Sequence, residues 1–178
     1  AAAAVDLVSG AANVQATESQ YYAVANAGAG KAIAPNVALS ADTDIAKINV
    51  TAAGAGADAT NDKLLVGTDT VNLNTTAQSG TNITVGSVTG VDWSYSAGKV
   101  LTLSKTGGGA FTASQVQAIE AALQFKTATG ASQGDRTFAI AHTDLAGNTG
   151  AAGTETVTVD TAAAAVDLVS GAANVQAT

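Results

Sequence analysis

Hydrophobic and polar residues alternate along most of this chain with a period of two, which turns one face of a strand inward and the other toward water. Ile48 and Val50 alternate with Lys47, Asn49 and Thr51. Leu64-Leu65-Val66 and Val71-Asn72-Leu73 flank Gly67-Thr68-Asp69, which predicts a hairpin. Val91, Trp93 and Tyr95 alternate with Asp92, Ser94 and Ser96; Ala97-Gly98 makes a turn, and residues 99–104 return. Phe138, Ile140 and His142 share one face of 137–143, and Val157 and Val159 share one face of 155–160. Val37-Ala38-Leu39 is a short apolar run, 54–62 a loop, and 144–148 a polar turn. Before residue 34 the pattern is weak: VDLVSG reads as a short strand, and YYAVANAGAG has no clear period.

One segment changes period. Thr112-Ala113-Ser114-Gln115 fits a capping box, in which the Thr hydroxyl and the Gln amide each satisfy a backbone N–H at a helix start. Val116, Ile119 and Leu123 follow at i, i+3 and i+7, and Ala118, Ala121 and Ala122 raise helix propensity. A single helix is predicted over 112–125, closing one edge or end of the sheets. Short strands, frequent turns and no βαβ alternation predict a mainly β fold, an antiparallel β-sandwich with one inserted helix.

The chain repeats itself. Residues 1–17 read AAAAVDLVSGAANVQAT, and residues 162–178 read the same without one change, at an offset of 161. Tandem duplication accounts for such identity, so 1–161 is read as one unit, with 1–34 as linker and opening strands, and 162–178 as the start of the next. The period is far longer than that of solenoids, so each unit can bury its own core, as beads on a string. With no Met the chain reads as an internal stretch of a longer protein, and with no Cys it has neither disulfides nor thiolate metal sites. It contains no apolar run long enough to span a membrane.

The net charge of −7 disfavours nucleic acid and anionic membrane surfaces as partners. Asp supplies 11 of the 14 acidic residues. Asp suits turns, and it also provides oxygen ligands for hard cations. Asp42 and Asp44 stand two apart beside a strand start, Asp144 and Asn148 bracket a tight turn, and Asp160 closes the last strand. These five are the candidate ligands for Ca²⁺; the plainer reading makes each a turn former. Neither an EF-hand loop nor a calcium-binding nonapeptide is present. Catalysis has little support: the single His142 lacks a nucleophilic partner and reads as structural, and Gly107-Gly108-Gly109 lacks the Lys-Ser/Thr ending of a phosphate loop. The chain is read as a non-enzyme.

The runs SADTDIAKINVT, LTLSKTGGGAFTASQVQAIEAALQFKTATGASQGDRTFAIAHTDLAGNTG and ETVTVDT resemble the immunoglobulin-like or cadherin-like repeats of giant bacterial adhesins of the repeats-in-toxin type. The similarity covers roughly 35–161, with Ala162 where those repeats carry Pro after VDT. The resemblance implies an extracellular extender at the bacterial cell surface, exported by type I secretion, that projects a binding tip for attachment and biofilm formation. It also implies structural Ca²⁺ at the joints between neighbouring repeats, held by Asp144, Asn148 and Asp160, with Asp42 and Asp44 following, and leaves any glycan or surface ligand to other parts of the full protein. Two other readings stand beside it: a carbohydrate- or surface-binding module with Trp93, Tyr95, Tyr21 and Tyr22 as a stacking platform, and a self-assembling filament or surface-layer subunit.

Overall fold

The computed structural model describes residues 5–6, 17–23, 30–39 and 44–160. These residues form a β-sandwich with one helix. In chain order the strands are β1 (Val5–Asp6), β2 (Thr17–Ala23), β3 (Lys31–Ala32), β4 (Ala38–Leu39), β5 (Ile45–Ala53), β6 (Lys63–Val66), β7 (Asp69–Asn72), β8 (Gln78–Val85), β9 (Val88–Tyr95) and β10 (Val100–Lys105). The helix α1 (Ala113–Ala122) follows, then β11 (Gln124–Lys126), β12 (Gly134–Asp144) and β13 (Gly153–Asp160). A seven-stranded sheet has the order β2-β13-β12-β5-β10-β9-β8, and a four-stranded sheet the order β3-β11-β6-β7. β1 and β4 form a separate two-stranded ladder. All pairs are antiparallel except β13 with β2, which run parallel from Thr154↔Thr17 to Asp160↔Ala23.

The core lies where the period-two pattern puts it. Ile48 and Val50 of β5, Leu101 and Leu103 of β10, Val91 of β9, Phe138 and Ile140 of β12, and Val157 and Val159 of β13 are fully buried. The four-stranded sheet contributes Leu64, Val66, Val71 and Phe125, and the helix Val116 and Ile119. Phe125 joins the layers: its ring centroid lies 5.5 Å from that of Tyr22 and 5.6 Å from that of Phe138, both on the larger sheet. Near its start β5 breaks alternation, because Thr143 pairs with Lys47 but Asp144 with Ile45. The bulge at Ala46 lets Ile45 and Ile48 both face inward.

The predicted helix starts as expected. Thr112 is the N-cap and both halves of the capping box form with Gln115. It ends earlier than the expected residue 125, however, because Gln124–Lys126 leaves as β11 and lays Phe125 between the sheets. Two strands run where the pattern is weak. Thr17–Ala23 takes its conformation from β13, with Tyr22 in the core. Gln78–Val85 takes its conformation from β9, with register shifts around Ile83. Ile33 and Ala34 are fully buried, so the stretch before residue 35 contributes core as well as opening strands.

Candidate functional site

The parallel pairing of β2 with β13 fixes two poles. The chain enters the seven-stranded sheet at Thr17, beside Thr154, and leaves it at Asp160, beside Ala23. Eight residues of strand separate these points by about 25 Å at ~3.3 Å per residue. The five candidate ligands divide between the poles. Asp144 ends β12 at the first pole, and Asn148 follows in its turn. Asp44 stands beside them, since Leu145 N–H donates to the Asp44 carbonyl at 3.1 Å and Ile45 pairs with Asp144. Asp160 lies at the opposite pole, exposed. Asp42 lies outside the described residues.

At the first pole Asp144 and Asn148 satisfy one another. The Asp144 carboxylate accepts from Asn148 N–H at 2.8 Å and from Asn148 Nδ2 at 2.9 Å. The Asn148 side-chain amide, followed by its backbone N–H, holds the Asp144 carboxyl below the usual carboxylate range. The turn is thus closed by its own hydrogen bonds. The side-chain bond uses Asn148 Nδ2 and not its Oδ1, so an amide flip is needed only to turn that oxygen to the side of the Asp144 carboxylate. Among the described residues, no three His, Asp or Glu side chains gather within one unit to hold a metal.

The far pole carries a second carboxylate that periodicity did not single out. Asp135 sits on the outer face of β12, across from Thr158, whose hydroxyl donates to it at 2.7 Å. Thr158 and Asp160 share that face of β13, which makes Asp135 and Asp160 diagonal neighbours. Behind them the loop 54–62 is pinned. Gly54 has φ +117, and a Cβ there would stand 2.3 Å from the Asp135 carbonyl oxygen, so only glycine permits the approach. Asp58 caps the loop: its carboxylate accepts from the N–H groups of Thr60, Asn61 and Ser132 and from Asn61 Nδ2. The Asn61 amide first, and then the backbone N–H groups of Ser132, Thr60 and Asn61, lower its pKa to about 2 against the cost of burial.

Polar groups are paired inside the sandwich as well, Arg136 with Asp62 and His142 with Glu120. Arg136 meets Asp62 through Nε at 3.0 Å and Nη2 at 3.2 Å, and Thr127 Oγ1 donates to the same carboxylate at 2.8 Å. Arg136 Nη1 donates to the Gly134 carbonyl, and Asp58 N–H donates to Asp62 Oδ2 at 2.7 Å. The network ties loop 54–62, the segment after β11 and β12 into one unit at the far pole. His142 Nε2 shares a hydrogen bond with Glu120 Oε1, both side chains being fully buried, which fastens α1 to β12. His142 Nδ1 and Glu120 Oε2 have no hydrogen-bond partner. Periodicity placed His142 on the inner face; its partner Glu120 shares the buried helix stripe with Val116 and Ile119.

Among the described side chains, the aromatic residues form no exposed platform. Trp93 and Tyr95 are buried, with Trp93 Nε1 donating to Asp69 at 2.7 Å and Tyr95 hydroxyl to the Asn74 carbonyl at 3.1 Å. Tyr22 is buried against Phe125. The side chain of Tyr21 lies outside the described residues. A shallow open hollow beside Tyr95 is lined by Ala77, Gln78, Ser79, Ser94 and Ser96, none of them charged.

No family model, curated protein or solved structure matches this chain.

Proposed function

We propose that this chain is an extender repeat of a bacterial cell-surface adhesin, stiffened by calcium at the joints between units and holding a binding tip away from the cell. The observation that carries the reading is the parallel pairing of β2 and β13, which puts the point where the chain enters the sheet and the point where it leaves at opposite poles. Units joined through a repeated segment then add length with each copy rather than folding back. Export by type I secretion, an extracellular location and a part in biofilm formation follow from the resemblance of 35–161 to adhesin repeats and belong to this proposal.

The division of the candidate ligands supports a site across the joint over one within a unit. In a head-to-tail array the pole with Asp160 and Asp135 faces the following unit's pole with Asp44, Asp144 and Asn148. Ca²⁺ takes about 6–8 oxygens, more than the candidate side chains of either pole supply without the other. The cation would neutralise carboxylates brought face to face and fix the angle between units. The burial of Trp93, Tyr95 and Tyr22 counts against a stacking platform for glycans.

Calcium titration by calorimetry of a one-unit and a two-unit chain tests the proposal. The two-unit chain is expected to bind calcium at a site the one-unit chain lacks, and Asp160→Ala in the first unit or Asp144→Ala in the second to abolish it. Equal binding per unit in both chains would remove the joint from the account.

A further inference from the structure

The duplicated segment has a visible seat. Val5–Asp6, inside the first copy of the 17-residue sequence, pairs antiparallel with β4, Val5 opposite Leu39 and Asp6 opposite Ala38. This ladder belongs to neither large sheet. Its release therefore breaks no strand order in the sandwich. The second copy carries the same residues at Val166 and Asp167 within an identical 17-residue context. A seat that accepts the first copy accepts the second on the same terms, because the two segments have the same sequence and so the same backbone donors and acceptors.

We infer that β4 is an exchangeable docking edge, and that residues 162–178 of one copy of this chain can replace residues 1–17 on the β4 of another copy. The partner is a second copy, fixed by sequence identity and not by apolar area. The inference needs only the repeat and the β1–β4 register; it does not rest on calcium or on adhesion. As a chain of residues 1–178, each copy then offers one donor segment and one acceptor edge at different places. Such a contact is heterologous and builds open chains or closed rings rather than symmetric dimers. The tethered head competes for its own seat at high effective concentration, so exchange between intact copies is slow and the intact chain is mostly monomeric. Weakening the head shifts the balance to the tail.

The full-length chain can test this directly. In the variant carrying both Val5→Pro and Asp6→Pro, the head has lost the N–H groups with which it can donate to β4, whichever of the two residues is the hydrogen-bonded one. Sedimentation of this variant is expected to show mass rising with concentration to at least twice that of the monomer. Adding Val166→Pro and Asp167→Pro should return it to monomer mass. A head variant that stays monomeric, or a fourfold variant that still associates, overturns the inference. The chain has no cysteine, so a second test is independent of how well the proline variants fold. Leu39→Cys with Val5→Cys should form a disulfide within one chain and confirms the register. Leu39→Cys with Val166→Cys should give, on mild oxidation, dimers and larger species whose peptide map contains the 39–166 bond. Absence of that bond, or its formation within a single chain, contradicts exchange between copies.

Discussion

Asp62 and Arg136 are both buried, and each is the other's compensation. Removing one partner of such a pair leaves a buried charge without a counterion, which costs about 3–5 kcal/mol, whereas replacing both with apolar residues of similar volume is often neutral. Asp62→Ala is therefore expected to lower unfolding free energy by roughly that amount in urea titration, and Asp62→Ala with Arg136→Met to recover most of it. A single variant of unchanged stability would show that the network is not holding loop 54–62. Asp58 acts at the surface of the same loop, and its effect depends on pH. Its folded pKa, about 2, lies below the ordinary 3.8, so its contribution is complete above about pH 4 and fades as pH falls through about 2. Asp58→Asn should be less stable than the parent near pH 7, and the gap should close by about pH 2. A gap constant with pH would point to geometry in place of charge. Neither the Asp62–Arg136 pair nor the Asp58 cap was legible beforehand. The alternating run was read from Thr137 onward, and the partner of Arg136 lies 74 residues away in sequence, so only the packed fold brings Asp62 to it.

Elements were legible where they carry their own signal. β5, β9, β10, β12 and β13 alternate strongly because one face packs on the other layer while the other meets water. The start of α1 was readable from Thr112 and Gln115 because a capping box is a local interaction. Thr112→Ala should cost about 1 kcal/mol, the ordinary worth of an N-cap side chain, in thermal or urea unfolding. An unchanged midpoint would mean that packing of Val116, Ile119 and Glu120 alone holds the helix. The end of α1 was misread because Leu123 continues the helical stripe, whereas the Gln124–Lys126 backbone follows β6 and β3 into the sheet. β8 was missed because QSGTNITV offers its buried side little beyond Val85 and the half-buried Ile83. Such an edge strand exists through its ladder to β9, a long-range contact that a local pattern does not encode.

At the scale of the whole molecule, the repeat was plain in the sequence but its geometric meaning was not. A tandem segment says that units follow one another; it does not say whether they extend or fold back. That depends on whether the first and last strands of a unit run the same way. Here β2 and β13 run the same way as neighbours at the edge of the sheet, so the chain enters the sheet at one pole and leaves it at the other, as the proposed extender repeat requires. The candidate ligands, adjacent in no simple way along the sequence, divide accordingly into Asp44, Asp144 and Asn148 at one pole and Asp160 at the other. Small-angle scattering from a chain of two consecutive units, in millimolar calcium, tests this most directly. A maximum dimension near twice that of one unit is expected. A two-unit particle hardly longer than a single unit, with the two sandwiches side by side, would contradict it.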